Sequence, residues 1–266
     1  MTKQLRNCRI LAHKELTPNN LSMQVEWLNA DQDFQPAQFV QVETSTTLDP
    51  LIRRPFSIFD TDPYSFTITY KKIGAGTQAL STRKKGDTIS IIGPLGNFYP
   101  IHKIKNNQKV LIVGGGTGIA SVHYLAKVLE KKNINYTLLI GFSRCTDIFC
   151  EPELQDLKGE VIITTNDGSK GKKGFVTEHF NFHDLNNSII FICGPEPMTR
   201  AWQKKSELIG IQNYDIYASL EEYMGCGLGI CNGCVVKVKI KKNDQFDFKC
   251  VCTNGPVFNL KDIIWT

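Results

Sequence analysis

The chain has 266 residues, 41% hydrophobic and 21% charged, which excludes a disordered polymer and leaves room for one to three packed domains. Its net charge of +5 lies in short runs such as Arg83–Lys84–Lys85. No long basic arm and no aromatic-rich basic stripe appears, so a nucleic-acid partner is not expected.

Met1 to Ile10 is polar and charged, without an apolar core of signal-peptide length. No unbroken run of about 18 apolar residues is present to cross a bilayer. A cytoplasmic protein with no membrane partner is therefore the expectation. The first hundred residues predict short strands at Leu21 to Trp27, Gln38 to Glu43, Phe66 to Tyr70 and Thr88 to Ile92. Turn residues separate them at Pro18–Asn19–Asn20, Asp62–Pro63 and Lys85–Gly86–Asp87, which predicts an antiparallel barrel or sandwich. Lys103 to Gln108 reads as a linker.

From Lys109 the texture changes. The apolar strand Lys109 to Val113 runs into Gly114–Gly115–Gly116–Thr117–Gly118, and Ala120 to Lys131 carries apolar residues at helical spacing. Further strands are predicted at Tyr136 to Gly141, Val161 to Thr165, Ser188 to Cys193 and Ile216 to Leu220, with a helix over Met198 to Leu208. Alternating strands and helices imply a parallel sheet with crossover helices.

A glycine-rich turn between strand and helix presents backbone N–H groups to a phosphate. Gly114 to Gly118 has that placement but departs from the strict G-x-G-x-x-G spacing, because the third template position falls on Ile119. Cys193–Gly194 ends another strand at the sheet edge where open α/β folds bind ligands. Arg53–Arg54–Pro55–Phe56–Ser57 offers a guanidinium for a pyrophosphate, and Gly74–Ala75–Gly76–Thr77 has small residues and donors suited to phosphate oxygens. Gly93–Pro94–Leu95–Gly96 reads as a structural turn. The polar loop Asn166–Asp167–Gly168–Ser169 can touch a ribose, and Ser143–Arg144 can hold a 2′-phosphate, which leaves a 2′-phosphorylated dinucleotide such as NADP open.

Five of the nine cysteines crowd the tail: Cys226, Cys231, Cys234, Cys250 and Cys252. The spacing C-x4-C-x2-C with a distant fourth cysteine is the plant-type [2Fe–2S] pattern, and the loop glycines allow the close approach such a cluster needs. Zinc is the rival, although zinc modules usually pair their cysteines in two short knuckles. Cys250 and Cys252 alternate on a predicted strand and share a face, so periodicity cannot choose between them. The turn Thr253–Asn254–Gly255–Pro256 beside Cys252 favours that residue.

Taken in order, Arg54–Pro55–Phe56–Ser57, Gly76–Thr77, Gly93–Pro94–Leu95–Gly96, Gly114 to Gly118, Cys193–Gly194–Pro195 and the cysteine tail resemble the ferredoxin-reductase-like flavoproteins. Ser219–Leu220–Glu221 leading into the cysteine loop, then Val251–Cys252 and Gly255–Pro256–Val257–Phe258, are similar to the electron-transfer subunits of type B dihydroorotate dehydrogenases. The resemblance implies a multidomain β and α/β fold. Its parts would be a six-stranded antiparallel FAD-binding β-barrel (1–102), a Rossmann-like NAD-binding domain (103–215) and a small [2Fe–2S] domain (216–266). It implies FAD contacts from Arg54, Pro55, Phe56, Ser57, Thr69, Tyr70, Lys71, Gly76 and Thr77. Cluster ligation would come from Cys226, Cys231, Cys234 and Cys252. It further implies an FMN-containing dihydroorotate dehydrogenase catalytic subunit as partner, in a heterotetramer with two copies of each chain. Tyr223, Phe98 and Ser121 depart from the residues usual at those places, namely arginine, glycine and proline. Two other readings stand beside this one: a reductase subunit serving a different redox partner, and a zinc-stabilised nucleotide-binding regulator.

Overall fold

The computed structural model describes residues 3–47, 49–209, 215–240 and 245–265. Its first sheet contains β1 (Gln4–Thr17), β2 (Asn20–Glu26), β3 (Phe39–Val42), β4 (Arg54–Ser57), β5 (Asp60–Asp62), β6 (Ser65–Lys71) and β7 (Thr88–Leu95). They lie in the order β4-β3-β7-β1-β2-β6-β5 with antiparallel pairing throughout. The sheet curls so that Phe56 on β4 meets Tyr70 on β6, with ring centroids 5.5 Å apart.

Seven strands form this half-barrel rather than six, the additional one being the three-residue β5. The long β1 has no counterpart in the sequence-based prediction, since its arginines and lysines dilute the alternation that marks a strand. One half of β1 pairs with β7 and the other with β2, so a single strand turns the corner of the barrel. The interior is filled by Ile10, Met23, Trp27, Phe34, Phe66 and Ile68, among others.

The second sheet has β8 (Lys109–Gly115), β9 (Thr137–Phe142), β10 (Glu160–Thr165), β11 (Lys172–Lys173), β12 (Ser188–Cys193), β13 (Asp215–Ser219) and β16 (Val257–Asn259). Their order is β11-β10-β9-β8-β12-β13-β16, parallel except where β16 runs against β13. The order reverses direction between β8 and β12, and that reversal opens a crevice beyond their carboxyl ends. The third sheet is β15-β14-β17, from β14 (Val235–Lys239), β15 (Phe246–Cys250) and β17 (Ile263–Ile264). The tail therefore crosses between sheets, because β16 leaves the third sheet to edge the second.

Among the described residues the α-helices are α1 (Ala30–Asp33), α2 (Ala75–Ser81), α3 (Ile119–Lys131), α4 (Glu151–Gln155) and α5 (Glu196–Leu208). Helix α3 is buried on nearly every side because it is packed between barrel and sheet. Tyr124 Oη donates to the Phe34 carbonyl over 2.9 Å, and the His123 ring stacks on Phe59 with centroids 4.1 Å apart. Lys127 Nζ reaches Asp60 Oδ2 at 2.5 Å. These contacts fix the angle between the first two sheets. Pro195 stands just before α5, whose Trp202, Gln203 and Ser206 face inward at helical spacing. Among the described residues no helix is long and apolar enough to cross a membrane.

Candidate functional site

A cavity of about 250 Å³ lies where the three parts meet. Pro55, Phe56 and Ser57 of β4, Thr69, Tyr70 and Lys71 of β6, and Thr77 of α2 form its barrel wall. The opposite wall is Thr117, Cys193 and Ser219 from the second sheet, continued by Leu220, Glu221, Glu222 and Met224, which lead into the cysteine loop. Seven of the nine expected FAD residues thus line one cavity, drawn from three separated segments, while Arg54 and Gly76 are not among its lining residues.

The side chains are pre-positioned. His13 Nδ1 lies 2.7 Å from the Arg83 carbonyl and Nε2 lies 2.8 Å from Tyr70 Oη. Only a ring protonated at Nδ1 can donate to that carbonyl, so a neutral His13 accepts the Tyr70 hydroxyl proton at Nε2. Burial holds Tyr70 well above the ordinary tyrosine range, which keeps it a neutral donor. Thr69 Oγ1 is buried without a hydrogen-bond partner among the described residues. Such an orphan costs about 1–3 kcal/mol, and a polar ring edge in the cavity would satisfy it.

Arg54 crosses the face of Gly76, where an added Cβ would stand 2.8 Å from Nε. Glycine there lets the guanidinium pack closely against the turn. Nη1 of Arg54 donates to the Ile52 carbonyl at 2.5 Å, while Nε and Nη2 keep donors for an anion. Thr77 Oγ1 accepts the N–H groups of Ile73 and Gly74 at 3.0 and 3.1 Å, which fixes the loop that delivers Gly76.

A second cavity, about 470 Å³, opens over the carboxyl ends of the parallel strands. Gly115, Gly116 and Thr117 line it, with Pro195 and Met198 opposite. Thr117 and Lys71 border both cavities, so the two are contiguous. The other glycines serve close packing. An added Cβ on Gly114 would press on Val122 Cγ2 at 2.9 Å, one on Gly194 would come within 3.1 Å of the Gly115 backbone, and one on Gly118 would strike the Cys193 carbonyl. Cys193 borders the first cavity, and burial raises its thiol far above the usual range, so it stays protonated. Arg144 lies 3.8 Å from Asp147, and Ser143 and Asp147 both line the cavity. Asn166 lines the cavity too, while Asp167 is occupied by Ser169.

The cysteine loop has no helix or strand between β13 and β14. Cys226 lies beside Cys231, and Cys234 lies beside both Cys252 and Cys250. Among the described residues no three His, Cys, Asp or Glu side chains gather round a single ion position. The single C-x4-C-x2-C loop with a distant fourth thiol suits a two-iron cluster better than one tetrahedral zinc. Burial opposes ionisation of Cys226, but the N–H groups of Cys231, Leu228 and Ile230 outweigh it and bring the thiol down to about 6. Those N–H groups are the kind of donor a cluster sulfur requires. Burial and the adjacent Cys234 push Cys252 up to about 12, against an opposing N–H from Gly229.

Cys250 and Cys252 do not alternate on one strand as their spacing suggests. β15 ends at Cys250, and the N–H groups of Thr253 and Asn254 fold back to the Cys250 carbonyl at 3.2 and 2.8 Å. The turn carries Cys252 beneath the loop. The Cys250 thiol approaches Cys234 as well, but it donates to Asn232 Oδ1 at 3.2 Å, so it anchors the loop from behind.

Two participants escape a reading of the sequence. Asn97 Nδ2 donates to the carbonyls of Asn254 and Val257 at 2.9 and 2.8 Å, and its Oδ1 accepts the Val257 N–H at 2.8 Å. This clamp ties the end of the barrel to the turn holding Cys252. Gln41 is the other, fully buried against the loop. A lone polar residue in a short strand carries no signal of such a role.

Two family models match the chain. The iron–sulfur cluster binding domain of dihydroorotate dehydrogenase B matches residues 221–264, and the oxidoreductase NAD-binding domain matches residues 112–204. The electron transfer subunit of dihydroorotate dehydrogenase B (NAD(+)) from Geobacillus sp. (strain WCH70) is 36% identical over 96% of each chain. Its counterpart from Bacillus cereus (strain Q1) is 33% identical over 98% of this chain and 99% of that one. Among solved structures, a chain of an NADH-dependent reduced ferredoxin–NADP oxidoreductase superposes with a TM-score of 0.78 at 28% identity, over 97% of this chain and 90% of that chain. The chain belongs to the family of dihydroorotate dehydrogenase B electron transfer subunits.

Proposed function

We propose that this chain carries electrons released by dihydroorotate oxidation, at FMN in a catalytic partner subunit, through a [2Fe–2S] cluster and FAD to NAD+. The reaction serves pyrimidine biosynthesis in the cytoplasm, in an assembly of two copies of each subunit. The observation that carries this reading is the shared cavity, walled by the barrel, the second sheet and the segment entering the cysteine loop. When bound there, FAD exchanges hydride with a nicotinamide and single electrons with the cluster.

The chain's own residues bind, orient and exclude water. Arg54, Gly76 and Thr77 hold the flavin's pyrophosphate, while Pro55, Phe56, Ser57, Thr69, Tyr70 and Lys71 surround its ring. The His13–Tyr70 bond keeps the tyrosine from swinging into the space the ring needs. Gly115, Gly116 and Thr117 take the NAD phosphates, with Gly114, Gly118, Cys193 and Gly194 providing the tight packing beneath them. Cys226, Cys231, Cys234 and Cys252 ligate the cluster.

The functional units are 1–102, 103–215 and 216–266. β13 begins at that last division and hydrogen-bonds into the second sheet, so the nucleotide unit delivers the cluster unit directly. Cys231 and Ile230 are exposed on the loop, which leaves the cluster open to a partner from that side.

The full-length likeness to the ferredoxin–NADP oxidoreductase chain supports a second reading, the same module serving a different redox partner. Pull-down from native extract followed by an assay of dihydroorotate-dependent NAD+ reduction separates the two. Orotate formation coupled to NADH supports the first. Copurification with another redox protein and no response to dihydroorotate supports the second. A zinc-stabilised regulator would give a colourless protein in either case.

A further inference from the structure

Gln41 sits in the middle of β3 with no exposed surface, and neither Nε2 nor Oε1 has a hydrogen-bond partner among the described residues. Its neighbours in the strand show which way it points. Val40 and Val42 face the barrel interior, so the alternating Gln41 faces outward with Phe39. There it lies directly against the cysteine loop. A Cβ added to Gly227 would stand 2.6 Å from both Cγ and Nε2 of Gln41. Gly227 follows Cys226, and its φ of +70° is the left-handed backbone that glycine adopts freely.

The loop thus gives up a side chain so that a buried amide can press onto it, and the amide finds nothing there among the protein's own groups. Both halves of a buried carboxamide normally find partners. The flavin is not the evident one, since Gln41 pairs in register with Pro55 but does not border the flavin cavity. What remains on that side is the group the cysteines hold.

We propose that Gln41 is a tuning residue for the iron–sulfur cluster, donating its Nε2–H to a cluster sulfur from the barrel side. This rests on the cluster reading given above. A donor to sulfur stabilises the more negative, reduced cluster and so raises its reduction potential. Gln41 would then set the driving force of the step between cluster and flavin, from a strand that also lines up with the flavin wall.

The test uses anaerobically purified holoprotein, wild type and Gln41→Met, with iron, sulfide and FAD contents measured first. Wild type lacking iron and sulfide would sink the cluster reading itself. With the cluster present, potentiometric titration is followed by EPR of the reduced cluster and by flavin absorbance. The expected result at a fixed ambient potential is about a tenfold fall in the reduced-to-oxidised ratio of the cluster in Gln41→Met. That corresponds to a midpoint about 59 mV more negative, with flavin midpoint and content unchanged. Gln41→Leu, which likewise lacks a donor, is expected to shift in the same direction. An unmoved cluster midpoint overturns the proposal and leaves the amide to a buried water. A shift confined to the flavin overturns it as well. If Gln41→Met fails to load, Gln41→Leu decides by the same measurement. Loss of the cluster from both, with FAD retained, refutes tuning in favour of a packing role.

Discussion

In the second sheet, the groups that face the nucleotide belong to a strand and a helix packed against a large apolar core. In the cysteine loop, the groups that face the cluster belong to a segment without regular structure, held by glycines, neighbouring thiols and the Asn97 clamp. The first region pre-forms its site as a by-product of folding. The second has little apolar material of its own, so the bound group completes it. Ligand loss should therefore leave the nucleotide sheet standing and loosen the loop.

The sharpest way to break that contrast is at the turn after β15. Cys252→Ala should abolish the visible absorbance of the cluster while FAD binding survives, and Cys250→Ala should keep the cluster; iron and flavin contents check both. The opposite pattern would exchange the roles assigned to the two thiols. Arg54→Ala comes next. Losing a charge-assisted bond of about 1.5–3 kcal/mol should weaken FAD binding about tenfold to a hundredfold, read by flavin fluorescence on dilution, with cluster content unaltered.

Gly118→Ala probes the packed region instead. Its methyl would meet the Cys193 backbone, an overpacking of about 1–3 kcal/mol expected to lower the thermal midpoint whether or not NAD is present. Gly116→Ala, with open space around it but a φ of +51°, should cost less. A Gly118→Ala protein as stable as wild type would show that the strand and helix are not tightly seated.

The smallest effect concerns His123 in the interface between barrel and sheet. Burial first, and then Lys127, lowers its pKa in the folded protein. The unfolded chain takes up a proton below about 6.5, while the folded chain resists it. The stability contributed by the neutral ring is therefore complete above that pH and is lost as the pH falls below it, by at most about 1.4 kcal/mol per unit. Melting curves between pH 7 and 5 should show a smaller decline for His123→Gln than for wild type.

Much of this architecture can be read from residue order. The Lys109 to Val113 run, the glycines after it and the helix that follows form a local signature, and each lies close to where its spacing puts it. The C-x4-C-x2-C loop is equally local. What escapes is whatever depends on two distant segments meeting. β1 hides because its charged residues mask the alternation, although its register with β7 and β2 is unambiguous in space. Cys252 leaves the strand because Asn254 Oδ1 takes the Cys250 N–H at 3.1 Å, a side-chain bond that spacing does not reveal. Gly96 looks like an ordinary turn residue, yet its φ is +77° and an added Cβ would stand 2.5 Å from Pro256 Cδ, so it admits the tail rather than merely closing the barrel.

Nicotinamide, flavin and cluster sites are expected to exchange electrons within this one chain. NADH added anaerobically to the purified, cluster-loaded protein, without any partner, tests this most directly. The account predicts that the flavin bleaches and that the EPR signal of a reduced [2Fe–2S] cluster then appears. A bleached flavin beside an intact cluster that stays EPR-silent, although dithionite reduces it, would contradict the relay.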